Sequence, residues 1–196
     1  MLCRRVAWET RHSQLAIRNS PFAMRFWLRV ADRIDRFNVW VGRVIYWLTL
    51  VMVVIGAFNA LARYADYFTG WSLSSNTYLE LQWYLFSLVF LLGAAYTLRE
   101  DEHVRVDVLY GRLSAKGKAW LNLAGAVLFL IPFCVLVLRT SWPKVRISWM
   151  EGEWSPDPGG LPRYPIKAVI LIAFVLLLVQ AVSFVIKQVA VLSNDE

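Results

Sequence analysis

The chain has 196 residues, of which 58% are hydrophobic and 18% are charged, whereas about 25% of the residues in an average soluble domain are charged. The charged residues leave four uncharged stretches of 18 to 20 residues, at 44–62, 81–98, 119–138 and 168–186. At about 1.5 Å per helical residue, each stretch approaches the roughly 30 Å thickness of a bilayer's hydrocarbon core. The composition therefore excludes a soluble enzyme and predicts four transmembrane helices.

The N-terminal part of the chain divides into two predicted segments. Residues 1–23 are Arg-rich and lack the apolar core of a cleavable secretory signal, so we expect a disordered extension. Residues 24–38 are predicted to form an amphipathic helix with Phe26, Ile34 and Phe37 on its apolar face and arginines on the other. This pattern suits a helix in the membrane interface, with its arginines near anionic lipid head groups. The alternative is a cytoplasmic extension of the first transmembrane helix.

The predicted fold class is an all-α membrane protein whose four-helix transmembrane domain covers residues 39–190. The spans are expected at about residues 39–62, 79–98, 119–140 and 166–187, followed by a C-terminal tail at 191–196. Pro132 lies within the third span, where it removes one backbone hydrogen bond and is expected to kink the helix.

The lysines and arginines predict the orientation, because the cytoplasmic side of a membrane protein retains them. Residues 1–43, 99–118 and the segment from Lys187 onward hold 15 of them, and the other two connections hold six. Both termini are therefore predicted to be cytoplasmic (N-in/C-in), with loops 63–78 and 141–165 outside. The net charge of +7 is thus a topology signal, and no nucleic-acid partner is predicted.

The side chains that usually hold cofactors are few. His12 and His103 both lie outside the spans, which excludes a haem-carrying bundle with histidine ligands. His103 stands beside Asp101 and Glu102, but three neighbouring side chains in one loop seldom give a metal's coordination geometry. No metal, cofactor or catalytic residue is predicted, so the chain is not expected to be an enzyme.

The spans also lack the groups that a solute pathway needs. A carrier of charged solutes uses polar or ionisable side chains at mid-membrane depth, or broken helices. The deepest polar side chains are Asn59, Gln82, Asn122 and Gln180, and of these only Gln180 lies far from a span end. We expect that the chain encloses no pathway alone and acts together with another protein.

Several polar and aromatic residues near the span ends are candidates for structural or interaction roles. Arg63 ends the first span and Glu80 opens the second, so an ion pair at the outer rim is expected; the alternative is that head groups solvate each residue separately. The outer connection has four prolines within residues 156–165 and includes Trp154 and Arg163. This stiff segment is either a docking surface or a cap over the bundle.

The cytoplasmic loop between the second and third spans includes His103, Arg105 and Asp107. Valines alternate with these residues in the manner of a strand, but an unpaired strand at a membrane surface exposes its edge. A short interfacial helix starting near Asp107 is therefore predicted.

Taken in order, these elements resemble the small membrane subunit (DctQ type) of tripartite ATP-independent periplasmic (TRAP) transporters. The resemblance covers residues 38–190 and rests on a list of short motifs: Asn59, Arg63 and Tyr64 at the end of the first span, Glu80 at the start of the second, the Gly93, Ala94, Ala95 cluster, and His103 to Asp107 with Leu113. Residues 1–23 have no counterpart in the resemblance.

The resemblance implies a multi-pass protein of the bacterial cytoplasmic (inner) membrane, with its outer loops in the periplasm. It also implies two protein partners: a large membrane subunit that carries the ion and substrate sites and moves as an elevator, and a periplasmic substrate-binding protein that delivers an organic acid. In that assembly the small subunit enlarges the stationary scaffold. The alternatives are an independent small membrane exporter and a membrane-embedded enzyme that modifies lipids.

Overall fold

The computed structural model describes residues 22–70, 73–100 and 113–193, and these residues form four long helices. Helix α1 is Phe22–Thr69, α2 is Asn76–Glu100 and α4 is Tyr164–Ser193. The third helix, α3, has two α-helical parts, Ala115–Gly125 and Ile131–Glu151, joined by a π-helical segment, Ala126–Leu130. Among the predicted site residues, His103, Arg105 and Asp107 lie outside the described residues, as does the helix expected near Asp107.

All four helices are long and apolar enough to cross a membrane, which confirms the predicted all-α fold with four transmembrane helices. They are also longer than the uncharged stretches. Helix α1 has 48 residues and is therefore about 72 Å long at 1.5 Å per residue, more than twice the hydrocarbon thickness. It runs unbroken through residues 24–38, as a helical extension of the first span requires, and the position of this segment relative to the bilayer stays a prediction.

Helix α4 is the centre of the bundle. It packs against α1, α2 and α3, while α1 and α2 also pack against each other and α3 packs chiefly on α4. The buried apolar positions are mostly alanines, among them Ala31, Ala95, Ala173 and Ala181. Small side chains let helix backbones approach closely, which is how helices associate where lipid removes the hydrophobic driving force.

The π-helical segment of α3 ends at Leu130, two residues before Pro132. The backbone N–H of Ile131 donates to the carbonyl of Ala126, five residues earlier, and Pro132 then occupies the first turn of the next α-helical part. Proline is tolerated there because a first-turn residue has no need of an intrahelical N–H partner. The backbone hydrogen-bond pattern thus changes to a π segment just before Pro132, and the kink itself stays a prediction.

The outer connection is shorter than the sequence indicates, because residues 141–151 continue α3. Val145 and Ser148 are buried on this extension, and the ring of Trp149 meets that of Tyr164 edge to face with centroids 4.8 Å apart. Gly152 ends the helix in the left-handed conformation, with φ 59°, which suits a residue without a side chain. The irregular outer connection is thus limited to residues 152–163.

Candidate functional site

One face of the N-terminal half of α1 packs against the C-terminal half of α4. The buried residues of this half of α1 are Leu28, Ala31, Asp35, Asn38 and Val41, which follow one another at spacings of three, four, three and three. That spacing places them in one stripe along a helix. The stripe contains an ionisable and an amide side chain, so its contact with α4 is partly polar.

Asp35 is the centre of this contact, which we call the inner polar network: Asp35, Asn38, Gln180, Ser183 and Lys187. Gln180 Nε2 donates to Asp35 Oδ1 over 3.0 Å, and Ser183 Oγ donates to the same oxygen over 2.9 Å. Lys187 Nζ forms an ion pair with Asp35 Oδ2. Asn38 Nδ2 donates to Gln180 Oε1 over 2.7 Å. The ionised Asp35 carboxylate can only accept hydrogen bonds. The NH2 group of Gln180 therefore faces Asp35, and its carbonyl oxygen accepts from Asn38.

This network explains how an acidic residue is held against a helix of the bundle. Asp35 is only 7% exposed, and an unpaired charge so placed costs several kcal/mol (about 3–5). Here the carboxylate has one cationic and two neutral donors. Asn38 is fully buried, and its Oδ1 accepts no hydrogen bond from the described part of the chain.

A second polar cluster lies at the other end of the bundle, where Glu80 joins α2 to the outer connection. Glu80 is 3% exposed; its carboxylate accepts hydrogen bonds from the hydroxyl of Ser155 and the backbone N–H of Leu161. Nearby, Tyr84 donates its hydroxyl to the carbonyl of Pro162 over 2.6 Å. We call this arrangement the outer cap; it ties residues 155–162 to the first turns of α2.

Glu153 fastens the start of the outer connection to α3 and α4. It forms an ion pair with Lys167 and accepts a hydrogen bond of 2.7 Å from the hydroxyl of Ser148. The bond from Lys167, and next the bond from Ser148, lower the pKa of Glu153 below its ordinary value. Its backbone carbonyl also accepts from the N–H of Arg163 over 2.7 Å, so the two ends of the connection meet there.

The expected ion pair between Arg63 and Glu80 is not formed, so that expectation is wrong. The Glu80 carboxylate is occupied by Ser155 and Leu161, while Arg63 is exposed on α1. The physical reason is the fold of the outer connection, which reaches the start of α2 and supplies donors to a buried carboxylate. The sequence placed both residues at the outer rim but did not indicate that loop contact.

The remaining predicted site residues are placed separately. Asn59 is buried on α1, and its Oδ1 accepts no hydrogen bond from any described residue. Trp154 is 64% exposed, and its backbone pairs with that of Pro162 in an isolated β-bridge. Arg163 donates weakly to the Ser155 hydroxyl over 3.4 Å, beside the outer cap. The structure therefore brings Glu80 and Arg163 to one cluster and leaves Trp154 on its outward side.

Sequence reasoning missed Asp35, Asn38 and Lys187 as members of a network. It identified Gln180 as the deepest polar residue, without a partner, and treated residues 24–38 as a two-faced helix. The three-four-three spacing of Leu28, Ala31, Asp35 and Asn38 was the available signal for a third, buried face.

Within residues 22–70, 73–100 and 113–193, no group of three or more histidine, cysteine, aspartate or glutamate side chains is arranged to hold a metal ion. A groove between α1 and α2, with a volume of about 330 Å³, is lined by Met52, Leu79, Gln82, Trp83 and Phe86. Most of this lining is apolar, which suits contact with lipid or with another helix better than a polar solute.

Comparison with known proteins identifies the family of this chain. The family model described as "Tripartite ATP-independent periplasmic transporters, DctQ component" matches residues 52–191, which is most of the chain. The chain belongs to the DctQ family. It is thus a multi-pass membrane protein of a transporter family, and the match includes α2, α3, the outer cap and all but the last two residues of α4.

One curated relative of this DctQ chain is the protein named "Putative TRAP transporter small permease protein" of Haemophilus influenzae, 29% identical over 98 residues. The aligned part is 50% of this chain and 57% of the relative, so the chain spans little more than half of that protein's length. No solved structure matches the chain.

Proposed function

We propose that the chain is the small permease subunit of a TRAP-type secondary transporter. In this role it forms part of the stationary scaffold beside a large, elevator-type membrane subunit. That subunit takes up an organic acid, delivered by a periplasmic binding protein, with energy from an ion gradient. Membership of the DctQ family and the name of the Haemophilus influenzae relative support the proposal.

The observation that carries the scaffold role is the arrangement of polar and apolar groups in the bundle. The inner polar network and the outer cap use their polar groups to join helices and loops of this chain. In contrast, α3 packs chiefly on α4 and exposes large apolar side chains at mid-helix, including Leu128, Phe129 and Leu136. A bundle of this kind offers flat apolar flanks to a neighbouring membrane protein rather than a polar path to a solute.

The outer cap supports the second part of the role, which is contact with the binding protein. Ser155 and the backbone of Leu161 bond to Glu80 of α2, which fixes the connection to the bundle, while Trp149 and Trp154, at the end of α3 and in the connection, are exposed. Exposed tryptophans on a rigid surface are typical anchors of protein interfaces. We infer that this rim contributes to docking of the periplasmic protein.

Reconstituted uptake tests the proposal. The large subunit is placed in proteoliposomes with and without this chain, binding protein and radiolabelled organic acid are added outside, and an ion gradient is applied. Uptake is expected only when both membrane chains are present. Normal uptake without this chain contradicts the proposed role.

A matched pair of variants tests which helix of this chain contacts the large membrane subunit. Phe129→Ala on α3 is compared with Phe58→Ala on α1, because both side chains are exposed and lose the same atoms. If α3 seals against the large subunit, Phe129→Ala reduces co-purification of the two membrane chains and Phe58→Ala leaves it unchanged. An equal effect of the two variants contradicts the assignment of the flank to α3.

A further inference from the structure

We propose that the exposed arginines of the N-terminal half of α1 bind the phosphodiester head groups of anionic phospholipids in the inner leaflet. These residues are Arg25, Arg29, Arg33, Arg36 and Arg43, and we call them the arginine stripe. The stripe lies outside residues 52–191, the part of the chain that matches the family. The proposal does not depend on a transport role.

The geometry of α1 gathers the five arginines on one side. Their successive spacings of four, four, three and seven residues place them within about 80° around the helix, at 100° per residue. All five are exposed. The buried face of the same segment, with Ala31 and Asp35, points toward α4 on the opposite side.

The charge of the stripe is not cancelled within the described part of the chain. None of the five arginines forms an ion pair with a described carboxylate. Arg29 and Arg36 each donate Nε to a backbone carbonyl four residues earlier, over 3.3 Å, which leaves four N–H groups on each guanidinium for other acceptors. The charge of Asp35 is already balanced by Lys187, so half-buried Asp32 is the remaining acidic side chain beside the stripe.

Contact with α4 sets the depth of the stripe. Lys187 follows the uncharged stretch of α4 and Arg43 precedes that of α1. Because Lys187 pairs with Asp35, the edge of the hydrocarbon core lies between the levels of Asp35 and Arg43, which are about 12 Å apart along α1. Arg29, Arg33 and Arg36 are at most six residues from Asp35, which is about 9 Å along the helix. This is the depth of the phosphate groups, where arginines are attracted to anionic lipid.

Two tryptophans complete a surface suited to a lipid rather than to an acidic protein or a nucleic acid. Trp40 and Trp47 are 59% and 63% exposed, and their spacing from Arg36 and Arg43 places them on the same side of α1. Tryptophan favours the interface between head groups and acyl chains. Guanidinium groups supply bidentate donors to phosphate, so the stripe combines recognition of the head group with contacts to the glycerol region.

The test uses the full chain purified in a neutral detergent and titrated with phosphatidylglycerol or phosphatidylcholine, with bound lipid counted by native mass spectrometry. The wild-type chain is expected to bind phosphatidylglycerol at least about ten-fold more tightly than phosphatidylcholine. Equal binding of the two lipids by the wild-type chain overturns the proposal without any variant. Adding 0.5 M salt, which screens charge, is expected to reduce the preference to below about three-fold.

Two triple variants with the same loss of charge assign the preference to the stripe. Arg29→Gln, Arg33→Gln and Arg36→Gln together are expected to abolish it. Arg139→Gln, Lys144→Gln and Arg146→Gln together remove three exposed cations from the C-terminal part of α3. This second variant is expected to retain the preference for phosphatidylglycerol. If both triple variants lower the preference equally, lipid binding is a general effect of net charge and the site is refuted. If the glutamine variant does not fold, Arg29→Lys, Arg33→Lys and Arg36→Lys together take its place. They keep the charge but lose the bidentate donors, so the preference is expected to fall, and an unchanged preference contradicts recognition by the guanidinium groups.

Discussion

The inner polar network gives the sharpest test of how the bundle is held together. Replacing Asp35 by alanine removes the acceptor of Gln180 and the ion-pair partner of Lys187. The Gln180 amide is then buried with an unpaired N–H, at a cost of about 1–3 kcal/mol. Ser183 keeps a partner, the carbonyl of Ala31 at 3.2 Å, and Lys187 is partly exposed, so their losses add only about 1 kcal/mol.

We therefore expect Asp35→Ala to lower the free energy of unfolding by about 3 kcal/mol, which is about 6–12 °C in apparent Tm for a chain of this size. The measurement is thermal unfolding in one detergent, followed by tryptophan fluorescence. Asp32→Ala is the matched control, because Asp32 lies on the same helix and interacts with Lys187 only through charge, whereas Asp35 also accepts the hydrogen bonds of Gln180 and Ser183. If the two variants melt within 2 °C of each other, the network does not stabilise the bundle.

The ion pair itself is separated from the hydrogen bonds by a double variant. Lys187→Met leaves a buried carboxylate with two neutral donors and is expected to cost about 2 kcal/mol. Asp35→Asn added to Lys187→Met removes the unpaired charge and keeps an acceptor for Gln180, so it is expected to recover more than half of that loss. A double variant that is less stable than Lys187→Met shows that charge is not the source of the cost.

Three further predictions concern the helix contacts and the outer cap. A Cβ on Gly42 would lie 2.6 Å from the ring of Tyr96, whereas a Cβ on Gly93 meets nothing within 4 Å. Gly42→Ala is therefore expected to lower the free energy of unfolding by about 1–3 kcal/mol, and Gly93→Ala to leave the apparent Tm unchanged. A lower apparent Tm for Gly93→Ala than for Gly42→Ala contradicts the packing of α1 on α2. Glu80→Gln removes a charged acceptor from Ser155 and Leu161, so backbone amides of residues 155–162 are expected to exchange hydrogen faster, while Glu151→Gln, at an exposed position, changes nothing. Equal protection in both variants contradicts the role of Glu80 in the outer cap. The pKa of Glu153 is lowered in the folded chain, so the ionised carboxylate stabilises the fold fully when the pH is above the ordinary value of 4.5. This stabilisation declines as the pH falls below 4.5 and is lost once the pH passes the lowered pKa of the folded chain. Melting curves from pH 7 to pH 3 are expected to show this loss in the wild-type chain and not in Glu153→Gln.

The four spans and the helical fold follow from the sequence alone because burial in lipid leaves the backbone little choice. Stretches 44–62, 81–98, 119–138 and 168–186 are uncharged, and in a bilayer every backbone N–H and carbonyl within them must be bonded inside the segment. Length and hydropathy therefore determine helices without knowledge of their neighbours. The disturbance at Pro132 is equally local, because it depends only on a missing N–H.

The partners of the polar side chains were decided by the tertiary structure. Glu80 and Arg63 lie at the same end of adjacent helices, yet Glu80 bonds to Ser155 and Leu161, which are about 75 and 81 residues away along the chain. Asp35 likewise contacts Gln180, Ser183 and Lys187 only because α1 begins well before the uncharged stretch 44–62, so that its N-terminal half lies along α4. Such pairings depend on the relative rotation and shift of whole helices, which arise from many small packing contacts. The spacing of Leu28, Ala31, Asp35 and Asn38 can therefore indicate a buried face of α1 but not the residues that face it.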